Sequence, residues 1–160
     1  MKILWITNTF RFSAIELTVE SFVDHCNKYI EHEDIEMCVL QIDDKKFPPA
    51  TDLIDKLKSK GVRFEVVEFK TILGFPSLSV IKNTFKIIRK IDPNIVHIYC
   101  ERYSFVLAYI AYLLKIPCVR TVCHIFDLGS GLVPLIRRFS KILQRFIMRK
   151  MNTLFLMNLE

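Results

Sequence analysis

The chain has 160 residues, 51% of them hydrophobic, with thirteen Phe. That is the size of one ordinary domain with ample material for a core, and it excludes a disordered chain. The net charge of +6 sits in one place: no acid occurs between Gly129 and Leu159, a stretch that holds Arg137, Arg138, Lys141, Arg145, Arg149 and Lys150, and the rest balances at 17 bases against 17 acids.

Strand-like and helix-like segments alternate along the chain. KILWIT near the start is a short apolar run, the mark of a buried strand. AIELTVESFVDHCNKYI follows, with Ile15, Val19, Phe22, Val23, Cys26 and Ile30 at helical spacing. IEMCVLQI is the second strand. TDLIDKLKSKG is a helix with Thr51 or Asp52 as its cap and Gly61 as its stop. VRFEVVEF, with partial alternation, is the third strand and belongs at a sheet edge. After the loop TILGFPSLS comes an amphipathic helix, LSVIKNTFKIIRKIDP, stopped by Asp92-Pro93. NIVHIYC is the fourth strand. YSFVLAYIAYLLKI is a helix apolar nearly all round and therefore expected to be buried. PCVRTVC is the fifth strand, Leu132 to Lys150 a long helix, and NTLFLM the sixth strand.

This alternation predicts an α/β, three-layer Rossmann-like domain: a parallel sheet of about six strands with helices on both faces. Right-handed crossovers favour the order 3-2-1-4-5-6. Ligands of such sheets bind outside the carboxyl ends of the strands, where the order reverses between strands 1 and 4. Three polar clusters are expected on that rim: Asn8 to Ser13 after strand 1, Glu101 to Ser104 after strand 4, and His124 after strand 5. Loops that merely begin there would also be polar.

Several functions are excluded or disfavoured. The longest apolar run, Phe105 to Leu114, is half of the ~20 residues that a membrane span needs. The first residues lack the features of a signal peptide, so a cytoplasmic location is expected. Five cysteines, odd in number and without C-x-x-C, suit reduced core thiols. Cys118 and Cys123 lie five apart on an extended segment and face opposite sides, so no metal site is expected. The loop after strand 1, NTFRFSAIE, has no glycine, which argues against an ordinary dinucleotide fingerprint. No phosphate-binding G-x-x-x-x-G-K and no G-x-S-x-G elbow occurs.

MKILWITN at the start, together with IDPNIVHIYCERYSFVLAYIAYLLKIPCVRTVCHIF, resembles the N-terminal domain of family-4 retaining glycosyltransferases, which have the GT-B fold. That family runs pDiVHaH, an apolar helix, giPvv.T.H, an Arg-rich helix and a strand near d.iia.S. The likeness covers essentially the whole chain. It implies that residues 1–158 form the acceptor-side domain of an enzyme that moves a sugar from a nucleotide sugar to a glycan or lipid-linked acceptor, in cell-surface or capsular polysaccharide synthesis. The nucleotide sugar is then a substrate, with no cofactor and no metal. His124 falls on the T-x-H histidine of the active-site cleft and His97 on the first His of VHxH, though a mid-strand His is equally a core residue with a backbone partner. Glu16 stands at the acid of the GG-x-E helix start, and Ser13 near its glycines. Asn8, Thr9, Arg11, Glu101 and Arg102 complete the implied substrate-binding set.

Departures from the family are specific. Phe10, Arg11 and Phe12 replace the paired glycines that bring backbone close to a donor diphosphate. Either Arg11 supplies charge to an altered donor contact, or the loop serves the acceptor. Tyr99 replaces the second VHxH histidine, and Met157 and Asn158 stand where the closing Ser is expected. The family's second domain, with its E-x7-E motif and most donor contacts, is expected beyond residue 158. Leu159-Glu160 resembles an expression-vector junction, and the 160 residues alone are expected to be inactive.

On the 132–150 helix, Leu135, Ile136, Phe139, Ile142, Leu143, Phe146 and Ile147 share one arc, and Arg137, Arg138, Lys141, Arg145 and Arg149 lie opposite. Such a face is either simply solvated or a peripheral contact with an anionic membrane, where each base contributes ~1 kcal/mol. Nucleic acid is not expected, for want of a binding motif or aromatic ladder. The competing class is a non-catalytic Rossmann-like binding module, or one subunit of a two-chain transferase, that kept the fold without the donor loop.

Overall fold

The structure, a computed structural model, describes residues 1–8, 14–29, 35–43, 49–68, 70–72, 75–99, 104–122 and 154–157. Its elements run β1 (Lys2–Asn8), α1 (Ala14–Tyr29), β2 (Glu36–Asp43), α2 (Thr51–Ser59), β3 (Arg63–Glu68), β4 (Thr71–Ile72), β5 (Phe75–Pro76), α3 (Leu78–Ile91), β6 (Ile95–Tyr99), α4 (Ser104–Leu113), β7 (Cys118–Val122) and β8 (Leu154–Met157).

Six strands form one sheet in the order β3-β2-β1-β6-β7-β8. Every neighbouring pair in it is parallel. In order of occurrence in the sheet these are strands 3-2-1-4-5-6, as the sequence pattern predicts, with β3 at the edge. β4 and β5 form a separate two-stranded antiparallel pair inside the segment read from sequence as a loop.

The two faces of the sheet are covered by different helices. Leu4, Ile6, Leu40, Val96 and Ile98 meet Val80, Ile88 and Ile91 of α3 and Leu107, Ala108, Ile110 and Ala111 of α4. On the other face Trp5, Met37 and Val39 meet Val19 and Val23 of α1 and Leu53 and Leu57 of α2. The period-2 alternation of β1 thus separates Leu4 and Ile6 from Trp5. Since both faces of the central strands are buried, β1 and β2 read as unbroken apolar runs rather than alternating ones.

Two details differ from the sequence pattern. The N-cap of α2 is Ala50, with no side-chain cap bond; the Thr51 N–H reaches the Pro49 carbonyl at 3.0 Å and helical bonding starts with Ile54 N–H on Ala50 at 3.0 Å. Thr51 and Asp52 are therefore already helical. α3, by contrast, stops at Asp92-Pro93 as the pattern has it: it begins on Ser77, whose hydroxyl accepts from the Val80 N–H at 3.4 Å, and ends on Asp92 in the left-handed conformation with φ 50°. The second difference is α4. It is apolar all round and buries one side, yet Tyr109, Tyr112 and Leu113 are 42%, 45% and 52% exposed.

At the amino end of the sheet, Asn94 bridges β1 and β6. Its Oδ1 accepts from the Lys2 N–H at 2.7 Å, and its own N–H donates to the Lys2 carbonyl at 2.9 Å. Cys26, Cys38 and Cys118 are free thiols. Burial pushes Cys38 and Cys118 up to about 11, which makes them unreactive core groups. Among the described residues no helix is long and apolar enough to cross a membrane.

Leu40 is fully buried in a central strand, whereas Leu78 is 82% exposed. Leu40→Ala should cost about 2–5 kcal/mol in urea unfolding, and Leu78→Ala within ~0.5 kcal/mol. Equal losses at the two positions would contradict this core.

Candidate functional site

The order of the sheet reverses at β1, flanked by β2 and β6. The residues facing α1 and α2 change character along the strands. Toward the amino ends they are Trp5, Met37 and Val39. Toward the carboxyl ends they become Thr7 on β1, Gln41 on β2, Tyr99 on β6 and Thr121 on β7. The register sets three of these side by side, with Gln41 opposite Thr7 and Thr7 opposite Tyr99. Thr121 lies two residues beyond Val119, which is opposite His97, and so shares that face. On the opposite face the same level is apolar on β1, β2 and β6, at Ile6, Leu40, Ile42 and Ile98, with Arg120 beside them on β7. A polar row thus crosses four strands at one end and one face of the sheet.

Thr7 and Gln41 are buried, while His97, Tyr99 and Thr121 are half-buried. His97 is opposite Trp5, and their ring centroids are 4.1 Å apart at 56°. Tyr99 stacks at 6.1 Å on Trp5 and meets the His97 ring edge-on at 6.0 Å. His97 Nε2 and the Thr121 hydroxyl are hydrogen-bonded at 2.8 Å. The partner is a side chain on the next strand rather than a backbone group. Burial lowers the His97 pKa from its ordinary 6.5 to about 4. The imidazole is therefore neutral near pH 7, with one ring nitrogen a donor and the other an acceptor. The Trp5 indole N–H is buried and finds no acceptor among the described residues. Chemically, the row offers hydroxyl, amide, phenol and neutral imidazole groups on an aromatic floor. It suits hydrogen bonding to an uncharged polyol better than binding a strong anion.

Of the residues named from sequence, His97 is placed in full. Asn8 closes β1 at the carboxyl end of the sheet and Glu16 lies in the first turn of α1, each described by its backbone alone. Thr9, Arg11, Ser13, Glu101, Arg102 and His124 lie outside the described residues, as do Arg137, Arg138, Lys141, Arg145 and Arg149. β7 ends at Val122, two residues before His124. Trp5, Thr7, Gln41 and Thr121 were not singled out from sequence. Arg120, in the same strand as Thr121, is buried but pairs in register with Ile98, on the α3/α4 face, and does not join the row. Among the described residues no three His, Cys, Asp or Glu side chains gather as metal ligands would.

No protein-family model matches the chain, and no curated protein sequence matches it significantly. Solved structures do resemble it. A UDP-N-acetylglucosamine 2-epimerase aligns over 98% of this chain and 41% of its own, with a TM-score of 0.60 and 13% identity. A putative UDP-N-acetylglucosamine 2-epimerase from Listeria monocytogenes aligns over 91% of this chain and 36% of its own, with a TM-score of 0.54 and 13% identity. MnaA from S. aureus, solved with UDP, aligns over the same shares with a TM-score of 0.50 and 10% identity. The chain therefore has the Rossmann-like α/β domain of GT-B proteins, a fold these epimerases share with glycosyltransferases. It spans about two fifths of the length of those structures.

The depressed His97 pKa has a measurable consequence. Between pH 6.5 and about 4 the unfolded chain takes up a proton that the folded chain refuses. This contribution to stability is present above pH 6.5 and is lost as the pH falls toward 4, by up to ~3 kcal/mol. Urea unfolding of the parent and of His97→Gln across this range should give curves that diverge by that slope. Parallel curves would mean that His97 titrates normally in the folded chain.

Proposed function

We propose that the chain is the acceptor-side domain of a GT-B glycosyltransferase, which moves a sugar from a nucleotide sugar to a glycan or lipid-linked acceptor. The observation that carries this is the polar row Gln41–Thr7–Tyr99 with His97 and Thr121, set at the reversal of strand order where α/β sheets hold their ligands. The likeness to sugar-nucleotide enzymes over 98% of the chain supports the same substrate class. The sequence resemblance to family-4 transferases adds the direction of chemistry. The chain covers 41% of the first of those enzymes, so a second domain is expected to share the work and to supply most donor contacts.

In this proposal His124 sits at the rim beyond β7 and positions the acceptor hydroxyl or a sugar hydroxyl. Glycosyl transfer builds oxocarbenium character and releases a diphosphate, so orientation of the incoming hydroxyl raises the rate without a strong base. Asn8, Thr9, Arg11, Ser13 and Glu16 border the same crevice from β1 and α1, and Glu101 and Arg102 from the end of β6. Neutral His97 and Thr121 form the floor. No metal takes part. The protein works in the cytoplasm, with the basic face of Arg137, Arg138, Lys141, Arg145 and Arg149 against the inner leaflet.

One observation favours a second function: the solved structures named above as similar to the chain are epimerases rather than transferases. An epimerase needs one sugar nucleotide and no acceptor. The two are separated by supplying UDP-N-acetylglucosamine alone to the full-length protein and following the sugar. A C2 epimer made without acceptor supports epimerisation, and transfer that requires a glycan acceptor supports the transferase.

His124→Ala in the full-length protein should lower turnover at least ~10²-fold with an unchanged circular dichroism melt. Near-normal turnover would remove His124 from the site. Turnover of a nucleotide sugar by the 160 residues alone would remove the need for a second domain.

A further inference from the structure

The outer surface of the α3/α4 layer is unlike the rest of the described surface. Elsewhere bases are matched by acids. Lys56 and Lys60 meet Glu20, Lys60 meets Asp24, Arg63 meets Glu36, and Lys58 meets Asp55, while on α3 itself Lys90 meets Glu65. On α3, however, Lys82, Lys86 and Arg89 are exposed and form no ion pair among the described residues. Neither α3 nor α4 contains an acid. At 100° per residue these three bases share one arc, opposite the buried Val80, Thr84 and Ile88.

Beside them α4 turns an apolar side outward. Tyr109, Tyr112 and Leu113 are exposed, and the two tyrosine rings stack at 6.3 Å and 21°. The two helices are in contact and cover the same sheet face. Unneutralised bases and exposed tyrosines therefore belong to one continuous surface. A purely solvated face would not need tyrosine and leucine, and a purely apolar contact would not need three unpaired cations.

We infer that the outer surface of α3 and α4 docks on an anionic lipid bilayer. Lys82, Lys86 and Arg89 reach headgroup phosphates, and Tyr109, Tyr112 and Leu113 enter the boundary between headgroups and acyl chains. Tyrosine prefers that depth because its ring is apolar and its hydroxyl remains wet. Lysine and arginine lay their alkyl stems along apolar surface while keeping the charge in the headgroup layer. Positive charge complements the anionic leaflet, and the apolar patch distinguishes a bilayer from a merely polyanionic partner. This contact stands on other residues than the 137–149 face and does not depend on the sugar-nucleotide function.

The test is co-sedimentation of the full chain with phosphatidylcholine vesicles, with and without phosphatidylglycerol, at low and high salt. The full chain should bind only the anionic vesicles, and more weakly at high salt. Lys82→Glu/Lys86→Glu/Arg89→Glu should lower the partition coefficient about 100-fold, since each base near the leaflet is worth about a factor of five. Tyr109→Ser/Leu113→Ser should lower it several-fold at unchanged salt dependence. All these side chains are exposed, and unchanged melts would show that folding is kept. Undiminished binding by the α3 variant, loss only in Arg137→Glu/Arg138→Glu/Lys141→Glu, or equal binding to neutral vesicles would overturn the inference. So would a dimer in sedimentation that Tyr109→Ser/Leu113→Ser dissociates, or binding to duplex DNA without binding to vesicles.

Discussion

Strand β1 is hydrogen-bonded along both edges, to β2 on one side and β6 on the other, and both partners run parallel to it. The chain can satisfy this double pairing only by building outward twice. It goes first through α1 and α2 to β3, then back across the sheet through α3 to β6 and onward to β7 and β8. Right-handed crossovers in opposite directions place α1 and α2 on one face and α3 and α4 on the other. The crevice at the carboxyl ends, the two-sided burial of Leu4, Trp5 and Ile6, and the helical outer layer all follow from that one constraint. Asn94 joins β1 to β6 at the amino end, its side-chain Oδ1 accepting from the Lys2 N–H and its own N–H donating to the Lys2 carbonyl, and so ties the return of the chain to the strand from which it started.

Parallel pairing also explains why a polar row forms. With evenly spaced bonds and no hairpin to stagger the strands, residues of the same depth line up across the sheet. A polar residue at the carboxyl end of each strand then meets its neighbours instead of being isolated. Gln41, Thr7 and Tyr99 are neighbours for this reason. His97 is held one level deeper, between the Trp5 ring and the Thr121 hydroxyl, where burial keeps it neutral. A neutral imidazole there costs no charge desolvation and still presents a polar edge.

Much of the architecture is legible in the sequence because it rests on long periodic runs. The central strands are apolar runs, α1, α2 and α3 have an apolar face, and Gly61 and Asp92-Pro93 punctuate the helices. The β4–β5 pair was not legible, since strands of two residues carry no period. The cap of α2 was displaced by one residue, because the backbone bond from Thr51 to Pro49 replaces the side-chain cap that Thr or Asp suggests. The partnership of His97 with Thr121 was out of reach for a different reason. It depends on the register of β6 against β7, and 24 residues separate the two. In the sequence Tyr99 stands only where a second histidine is expected, although its place opposite Thr7 makes it part of the row. His124 and the loops after β1 and β6 lie outside the described residues.

The same reasoning accounts for α4. Uniform apolarity predicts a helix buried on every side, but a helix in a three-layer fold has only one sheet to lie on. Its side toward the sheet is filled by Leu107, Ala108, Ile110 and Ala111, and the far side must face outward whatever its composition. Small residues on the buried side let the helix approach the sheet closely, and the bulky Tyr109, Tyr112 and Leu113 are left outside. Exposure of large apolar side chains is costly in water, and nothing in the fold requires it there: polar residues would fill the same helical positions at no loss of packing. α3, its neighbour, solves the same geometric problem in the ordinary way, with lysine and arginine outward. The contrast between two adjacent helices under one constraint marks the outward face of α4 as a feature of what the surface meets rather than of how the domain folds.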